Sequence, residues 1–594
     1  MPDIGPEDPF AHLHEEDFET PFMSPLLTDA GMIFMGDRVT ESLAGDWRFV
    51  LDPFREGLRQ RWFEHDATPI EEWTVPRDCD DAAWQTIPVP GCWNLARAEW
   101  RYYEGAAWYM RDLDVAPPRD GERLFLRIGA ATGRARVFLN GRFLGLHRGG
   151  WTPFFVEIGP YLREAGNLLM CEVDTTRRDD AVPMSHFDWF NYGGLFREVE
   201  LVRVPAIHVT DFRLWLIQGD RIAARVVLSN PTDGEAEIEI DGLGTGRVAI
   251  SAGEGETTFD LSPRLWSPSD PHLYQVRLRF GADRVGDRVG FRRIERHGTE
   301  IRLNGEPVAF RGICAHEDDR DLGRCTSEAD IRRRFGHAKE LGANAMRLAH
   351  YPHSELAAKI ADEVGILLWE EIPVYWAIAF ENPETFAEAE NQLREMIRRD
   401  FNRASVVLWG IGNENADTDA RLRFMSGLAA TARREDPDRL VGAACLINRV
   451  AFRIEDRLAE ALDVIGLNEY FGWYEPGFDG LRRLLANSAP DRPVMVTETG
   501  ADARVGLHGS DMQLFTEEYQ ARVLATQVEI ADGADYVAGI FPWLLYDFRS
   551  ERRQTRHQRG WNLKGVIAAD KTTRKLGFEA LRAAYATHFR KGDS

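Results

Sequence analysis

Eight short apolar runs alternate with helical stretches in the second half of the chain, after about Gly298. The runs are apolar and have the length of strands, and the segments between them, such as 327–342 and 385–404, have a helical pattern. Eight such units over about 290 residues match a (β/α)8 TIM barrel in number and size. A doubly wound sheet also alternates, but the first run lacks the G-x-G-x-x-G turn of a dinucleotide-binding fold. We therefore predict a TIM barrel over residues 298–594, with strands at 308–314, 343–349, 366–371, 405–412, 440–446, 463–468, 494–498 and 537–543.

The first half of the chain has short alternating runs broken by Gly, Pro, Asn and Asp, a pattern typical of antiparallel β-sheets. In VFLNGRFLG (137–145), two β-rich runs meet at Asn140-Gly141, a pair that suits a type I′ hairpin turn. We predict a β-sandwich over residues 1–204. A second sandwich of about 90 residues, over 205–297, has the size of an immunoglobulin-like domain.

Charge and composition exclude several classes of protein. The 594 residues include 72 Lys and Arg against 96 Asp and Glu, a net charge of −24, which argues against nucleic-acid and membrane-surface partners. The N-terminus lacks the pattern of a signal peptide and no apolar run is long enough to span a membrane, so we expect a cytoplasmic location. We expect isolated buried thiols rather than disulfides or a zinc site, because the cysteines lie far apart: Cys79, Cys92, Cys171, Cys314, Cys325 and Cys445.

The carboxyl ends of the predicted barrel strands carry the candidate catalytic residues, since reacting groups in this fold lie at that face. Glu414 follows the fourth strand and Glu498 ends the seventh, so the two carboxylates can face each other, as glycoside hydrolysis requires. A single Glu at a strand end more often caps a loop or forms a surface ion pair. Glu414 and Glu498, however, both follow apolar strands, where burying a carboxylate that has no functional role costs free energy. The other strand ends carry His316, Arg347, His350, Glu370, Glu371, Asn413, Asn468 and Trp543.

Motifs along nearly the whole chain together resemble glycoside hydrolase family 2, the group of β-galactosidases, β-mannosidases and β-glucuronidases. The resemblance implies a retaining mechanism, with Glu498 as the nucleophile, Glu414 as the acid and then the base, and Asn413 bonded to the sugar 2-hydroxyl. It also implies that the first sandwich is a jelly-roll-like sugar-binding domain and that the protein is a homo-oligomer. The motifs are PGCWN (90–94), FNYGGLFREVEL (190–201), IRLNGEPVAFRGICAHED (301–318), NAMRLAHYPHSE (344–355), LLWEEIP (367–373), VVLWGIGNEN (406–415) and VTETG (496–500).

Further segments are similar to the β-glucuronidase version of the family, which implies a terminal β-D-glucuronoside as substrate. The segment GWNLKG (560–565) resembles an Asn-x-Lys pair that holds the sugar carboxylate, here Asn562 and Lys564. The Arg-rich run 551–560 would draw an anionic substrate to the mouth, and an Arg that the family places before this pair could be Arg559, Arg556 or neither. The sugar would also contact Asp188, Asn468, Tyr470 and Tyr474.

Two alternatives stay open from the sequence: a β-galactosidase or β-galacturonidase on the same scaffold, and a non-catalytic carbohydrate-binding protein. The chemistry requires no cofactor, and Pro352 between His350 and His353 favours substrate contact or packing over a metal site. We expect His316, His350 and Trp543 to contact the sugar, with Trp543 as the floor of its pocket. Glu370 and Glu371 are expected to pair with Arg347 or to support the catalytic glutamates.

Overall fold

The computed structural model describes residues 18–64, 83–217 and 219–589. Its first region is a β-sandwich whose two antiparallel sheets bury an aromatic core that includes Trp47, Phe49, Trp93 and Tyr109. The larger sheet has the order Gln85–Val89, Gly45–Asp52, Ala106–Leu113, Asn167–Asp174, Arg134–Leu139 and Arg142–Arg148. The smaller sheet has the order Thr40–Ser42, Val199–Pro205, Glu122–Ile128 and Phe154–Glu157. Short helical turns connect the strands at Thr20–Phe22, Asp29–Gly31, Glu56–Arg59, Trp62–Glu64, Trp93–Ala96, Ala98–Trp100 and Gly159–Tyr161.

The predicted hairpin lies in the larger sheet. Strands Arg134–Leu139 and Arg142–Arg148 pair in antiparallel fashion on either side of Asn140-Gly141. Both turn residues are in the left-handed region, with φ of 52° and 82°. Asn and Gly adopt this conformation more readily than other residues, which confirms the type of turn that the dipeptide predicts.

The second region is an immunoglobulin-like sandwich with its own aliphatic core, which includes Ile222, Val226, Ile238, Val248 and Val276. Alternating residues of its strands are buried, so each sheet presents one apolar face to the other. One sheet has the order Val209–Ile217, Arg221–Leu228 and Glu254–Phe259, and the other Gly244–Ile250, Gly234–Ile240, Tyr274–Phe280 and Asp283–Val289. A small sheet of Ile294–His297, Glu300–Leu303 and Glu306–Pro307 precedes the barrel.

The third region is a TIM barrel built on a closed parallel sheet. The first strand is divided at Gly312 and Ile313: Phe310–Arg311 pairs with the last strand and Cys314–Ala315 with the second, which closes the ring. The remaining strands are Ala345–Leu348, Leu367–Glu371, Val406–Asn413, Leu440–Cys445, Val464–Asn468, Val494–Glu498 and Val537–Ile540. All eight predicted strands are present. The eighth ends at Ile540, three residues earlier than expected, just before Pro542, which has no N–H to donate to a sheet.

Helices surround the barrel, and several begin with the capping residues that the sequence supplies. Ser327 and Asp330 form a reciprocal capping box at the start of the first, and Asn382 caps the third ahead of a proline in its first turn. A 3-10 helix, Arg457–Ala461, stands between strands five and six. The α-helices are Glu328–Glu340, Glu355–Val364, Pro383–Asp400, Asp419–Glu435, Asp479–Asn487, Glu517–Asp532 and Leu576–Tyr585.

The chain after the eighth strand crosses the mouth of the barrel before the last helix. It contains a small hairpin, Phe548–Arg549 paired with Trp561–Asn562. The first sandwich contacts this segment, since the backbone N–H of Phe190 donates to the carbonyl of Arg549 at 3.1 Å. Arg197 of the sandwich also donates to Glu317 of the barrel at 2.7 Å. Side chains of the first region therefore reach the barrel mouth.

The cysteines are free thiols in the part of the chain that the structure describes, and Cys79 lies outside it. The sequence spacing led us to expect isolated thiols, but this is wrong for Cys92 and Cys325. Their Sγ atoms are 4.0 Å apart across the contact between sandwich and barrel. Spacing along the chain does not reveal such a contact between domains. None of the described helices has the length and apolarity needed to cross a membrane.

Candidate active site

Glu498 lies at the end of strand Val494–Glu498 and is almost fully buried. Its Oε1 atom accepts a hydrogen bond from Nη1 of Arg347 at 2.9 Å, and its Oε2 atom accepts one from the Tyr470 hydroxyl at 2.8 Å. Nε2 of His350 lies 3.6 Å from Oε1. A cation on one oxygen and a hydroxyl donor on the other therefore fix the orientation of this carboxyl group.

Arg347 connects the carboxylates and amides of the site. Its Nε and Nη2 atoms donate to the two oxygens of Glu371, each at 2.9 Å, and Nη2 also donates to Oδ1 of Asn413 at 2.7 Å. Burial alone would lower the pKa of Arg347, but the charges of Glu371 and Glu498 raise it above its ordinary value. The guanidinium is therefore a permanent cation that fixes three neighbouring groups.

Glu414 follows strand Val406–Asn413 and has a left-handed backbone, with φ of 53°. Its Oε2 atom accepts a hydrogen bond from Nε1 of Trp376 at 2.8 Å. Burial raises the pKa of Glu414, and the negative charge of Glu498 raises it further. A carboxyl group with a raised pKa can donate a proton, and a second carboxyl group near it completes the pair that glycoside hydrolysis uses.

Asn413 and Asn468 lie side by side between the two glutamates. Oδ1 of Asn413 accepts hydrogen bonds from Arg347 and from Nδ2 of Asn468, the latter at 3.1 Å. The Thr497 hydroxyl donates to Oδ1 of Asn468 at 2.7 Å, which fixes the orientation of that amide. Nδ2 of Asn413 is buried without a hydrogen-bond partner among the described residues. An oriented donor of this kind can bind a substrate hydroxyl.

His316, His350 and Trp543 form an aromatic wall of the site. The ring of His350 stacks on Trp543 with centroids 5.0 Å apart, and its Nδ1 atom is hydrogen-bonded to Glu371 at 2.7 Å. His316 meets the edge of Trp543 at 5.2 Å, and its Nδ1 atom is hydrogen-bonded to the Tyr351 hydroxyl at 3.0 Å. Burial lowers the pKa of His316 well below its usual value, and the neighbouring His350 lowers it further. His316 is therefore neutral at physiological pH.

A group of polar residues lies where Asn562 and Lys564 were predicted to hold a carboxylate. Nζ of Lys564 donates to Oδ2 of Asp502 at 2.7 Å and to the Tyr474 hydroxyl at 3.0 Å. Oδ1 of Asn562 accepts a hydrogen bond from the backbone N–H of Lys564 at 3.2 Å. Tyr470 joins this group to the glutamates, since its ring lies 5.2 Å from that of Tyr474.

Asp188 enters the same group from the first sandwich. Its Oδ1 atom accepts a hydrogen bond from the Ser550 hydroxyl at 2.6 Å, and its Oδ2 atom is paired with Arg553. Nη1 of Arg553 donates to the Tyr474 hydroxyl at 2.7 Å, so the Tyr474 oxygen lies between two cations, Lys564 and Arg553. The sequence left open whether Arg559, Arg556 or neither of them is the basic residue here. Both are exposed, and Arg553 occupies this place instead.

The prediction for Glu370 is wrong, whereas that for Glu371 is confirmed by its pairing with Arg347. Successive residues of a strand point to opposite faces, so Glu371 points into the barrel and Glu370 points away from it. Burial raises the pKa of Glu370 well above its ordinary value, and the charge of Asp400 raises it further.

No group of three or more potential metal ligands is found in the described residues, and the Nε2 atom of His353 is hydrogen-bonded to the carbonyl of Ala349.

The structure places the two predicted catalytic glutamates and the ten predicted sugar-contacting residues in one connected group, and it adds others that sequence reasoning missed. Trp376 lies five residues beyond strand Leu367–Glu371, in a loop whose course the strand pattern does not predict. Arg553 was visible as part of a basic run, but the fold of that run determines which of its arginines turns inward. Asp502 follows Glu498 by four residues and had no motif to mark it.

Family models cover most of the chain in three consecutive matches. Residues 40–205 match the sugar-binding domain of glycosyl hydrolases family 2, and residues 218–292 match a second model described as glycosyl hydrolases family 2. Residues 294–588 match the TIM barrel domain of the same family. The matches follow the order of the two sandwiches and the barrel.

Individual proteins resemble the chain over nearly its whole length. A β-glucuronidase of Paenibacillus borealis is 30% identical, over 90% of this chain and 96% of its own length. The structure of a β-glucuronidase from an uncultured Clostridium sp. has a TM-score of 0.81 at 26% identity, covering 92% of this chain and 98% of that one. A β-galacturonidase from Eisenbergiella tayi, solved with bound galacturonate, has a TM-score of 0.79 at 26% identity, covering 95% and 99%.

Proposed function

This chain is a glycoside hydrolase and belongs to family 2, and we propose that it is a retaining exo-β-glycosidase that acts on a terminal β-D-glucuronoside. Glu498 and Glu414 are the nucleophile and the acid/base of this proposal. The hydrogen bonds that Arg347 and Tyr470 donate to Glu498 support the first role, because they hold its two carboxylate oxygens in a fixed orientation. The raised pKa of Glu414 supports the second, because it keeps a proton available for the leaving oxygen.

The reaction proceeds in two displacements at the anomeric carbon. In the first, Glu498 attacks that carbon while Glu414 protonates the glycosidic oxygen, so the aglycone leaves and a covalent glycosyl-enzyme forms. In the second, Glu414 takes a proton from a water molecule that attacks the same carbon, and the bond to Glu498 breaks. Nδ2 of Asn413 is the donor for the sugar 2-hydroxyl in this proposal.

The uronide proposal rests on one observation: two cations, Lys564 and Arg553, both donate hydrogen bonds to the Tyr474 hydroxyl. Lys564 and Arg553 lie 3.0 and 2.7 Å from that oxygen, in the same group as Asn562. A sugar carboxylate can accept charge-assisted hydrogen bonds from these donors, and a neutral galactoside has no such group. The relatives named β-glucuronidase support the same substrate.

A β-galacturonidase is the second candidate, because a galacturonide carries the same carboxylate and differs at another carbon of the ring. The similar Eisenbergiella tayi β-galacturonidase, which was solved with galacturonate, supports this alternative. The non-catalytic alternative is set aside, because the chain belongs to a hydrolase family and has both glutamates in the candidate site.

The test is a panel of 4-nitrophenyl β-glycosides, namely the glucuronide, galacturonide, glucoside and galactoside. We expect kcat/KM to be highest for the glucuronide, and a higher value for the galacturonide would select the second candidate. Glu498→Gln and Glu414→Gln should each lower kcat/KM for the best substrate by about 10²-fold or more. Glu370→Gln is the matched control, because this strand-end glutamate points away from the site. Activity within tenfold of wild type in Glu498→Gln would refute its role.

Retention of configuration is tested separately. Proton NMR at early reaction times should show the β-anomer of the released sugar before mutarotation. An initial α-anomer would refute the double displacement.

A further inference from the structure

Arg552 packs on an aromatic ring beside the candidate acid/base. Its guanidinium carbon lies 4.6 Å from the centroid of the Trp376 ring. Nε1 of the same indole donates to Oε2 of Glu414 at 2.8 Å. The indole therefore connects a cation at the barrel mouth to the carboxyl group that handles the proton.

The backbone of Trp376 is fixed on both sides, so the position of the ring is well determined. Its N–H donates to the carbonyl of Asn413 at 2.9 Å, and its carbonyl accepts a hydrogen bond from Nδ2 of Asn415 at 2.9 Å. A general acid must lie within hydrogen-bond reach of the oxygen that it protonates. That oxygen joins the sugar to the aglycone, so Trp376, which contacts Glu414, lies close to the point where the aglycone is attached.

Arg552 and Arg553 are consecutive in sequence but face different environments. Arg553 is turned toward the sugar side, where it is paired with Asp188 and bonded to Tyr474. Arg552 is exposed, and no carboxylate forms an ion pair with it in residues 18–64, 83–217 or 219–589. Packing on the indole orients its planar group while leaving its N–H donors available to an anion.

We propose that Arg552, positioned by Trp376, forms a subsite for an anionic group on the aglycone. The subsite deepens the proposed function and rests on it, because it assumes that Glu414 protonates the leaving oxygen. The substrate class is a uronide whose aglycone is itself a ring bearing a carboxylate or sulfate. An acidic sugar and an acidic aromatic ring share this chemistry. In a chain with a net charge of −24, an arginine that has no ion-pair partner among the described residues and packs on the indole next to Glu414 favours such an aglycone over a neutral one.

Two matched substrate pairs test the subsite and distinguish the two sources of charge. The aromatic pair is 4-methylumbelliferyl β-D-glucuronide and the glucuronide of 7-hydroxycoumarin-4-acetic acid, which differ by one carboxylate. The saccharide pair is glucuronic acid β-linked to glucose or to glucuronic acid. The readout is the ratio of kcat/KM for the anionic aglycone to that for the neutral one, measured in wild type, Arg552→Gln, Arg552→Glu and the control Arg556→Gln.

We expect the wild-type ratio to exceed one for at least one pair, and the pair that shows it identifies the source. Arg552→Gln should lower that ratio about fivefold, the effect of losing one partly exposed ion pair, and Arg552→Glu should lower it further. Arg556→Gln, which removes an exposed arginine from the same run, should leave the ratio unchanged. The wild-type preference should also weaken with added NaCl, since the Debye length is about 8 Å at 0.15 M ionic strength. Equal ratios in wild type, Arg552→Gln and Arg556→Gln would overturn the proposal.

A binding measurement separates this inference from the proposed function. Titration calorimetry with free 7-hydroxycoumarin-4-acetic acid and 4-methylumbelliferone examines the subsite without any hydrolysis. The acid should bind more tightly than its neutral counterpart to wild type but not to Arg552→Gln. If the enzyme hydrolyses no uronide, the proposed function fails, but the difference in affinity between the acid and 4-methylumbelliferone still tests whether Arg552 binds an anion. If uronides are hydrolysed and the difference is absent, the subsite alone fails.

Discussion

The ammonium of Lys564 and the carboxylate of Asp502 form a buried ion pair, with Nζ and Oδ2 2.7 Å apart. Both side chains are essentially inaccessible to solvent. Burial alone would raise the pKa of Asp502, but the Lys564 charge and the hydrogen bonds donated by Lys564, Gln558 and the backbone of Leu563 together lower that pKa below its ordinary value. The positive charge of Lys564 is therefore already balanced before any substrate binds. A uronate would meet a pre-organised pair, in which Asp502 holds the lysine in position.

Replacing Lys564 should reduce activity on uronides far more than on neutral glycosides. In Lys564→Met, kcat/KM for 4-nitrophenyl β-glucuronide should fall by roughly 30-fold or more, since the lost group is a buried charged donor. The value for the matching glucoside should change much less, because that sugar has no carboxylate. Steady-state kinetics on the two substrates measures the difference.

The double variant Lys564→Met/Asp502→Asn is the control for stability. The single variant leaves Asp502 buried without its cation, so its melting temperature should fall, and neutralising Asp502 should recover much of that loss. The uronide defect should remain in the double variant. An unchanged preference for uronides in both variants would show that Lys564 does not recognise the carboxylate.

Removing the Tyr470 hydroxyl should slow the reaction, because Glu498 then loses the hydrogen-bond donor that contacts its Oε2 atom. This hydroxyl donates to Oε2 at 2.8 Å, whereas Oε1 keeps its bond to Arg347 in Tyr470→Phe. A lost hydrogen bond to a charged group corresponds to roughly a 10- to 100-fold change in rate. Single-turnover kinetics of glycosyl-enzyme formation measures it. Tyr519→Phe, a change of the same kind away from the glutamates, is the control. Equal rates in both variants would contradict the role assigned to Tyr470.

The loss of the Trp376 indole N–H should move the pH profile of the enzyme. The hydrogen bond that Trp376 donates to Glu414 stabilises the ionised carboxylate and so lowers its pKa, in opposition to burial and to the charge of Glu498. In Trp376→Phe this pKa should rise, and Glu414 should remain protonated to higher pH. The basic limb of the kcat/KM profile should therefore shift upward, whereas a downward shift or none would contradict the contact with the acid/base.

The strand pattern predicted most of the barrel, because buried parallel strands are continuous apolar runs and their carboxyl ends lie on one face. This reasoning located Glu414, Glu498 and Asn413 from local sequence alone. It did not locate Arg553 or Trp376, because both lie in loops whose course depends on contacts with distant residues such as Asp188. The homo-oligomer and the cytoplasmic location stay predictions from the sequence.

Glu370 shows how a one-residue difference in a strand changes the environment of a carboxyl group. Glu371 is paired with Arg347 and with His350, whereas Glu370 lies beside a second carboxyl group, that of Asp400. The alternation of strand residues could have predicted that the two point apart, but not which of them faces the site. Register against the neighbouring strands decides this, and it is a property of the folded barrel.

Glu370→Gln should stabilise the protein at high pH and leave its activity intact. Burial, and then Asp400, raise the pKa of Glu370 in the folded state above the ordinary value of 4.5, so the native protein binds this proton more tightly than the unfolded chain does. The free energy of unfolding therefore falls as pH rises from about 4.5 toward the folded-state pKa. Glutamine does not titrate, so the variant does not lose this free energy of unfolding as the pH rises. The gain in melting temperature over wild type should therefore be larger at pH 8 than at pH 5. Glu295→Gln at an exposed strand position controls for the removed charge, and an equal difference at both pH values would show that Glu370 is not held protonated by the fold.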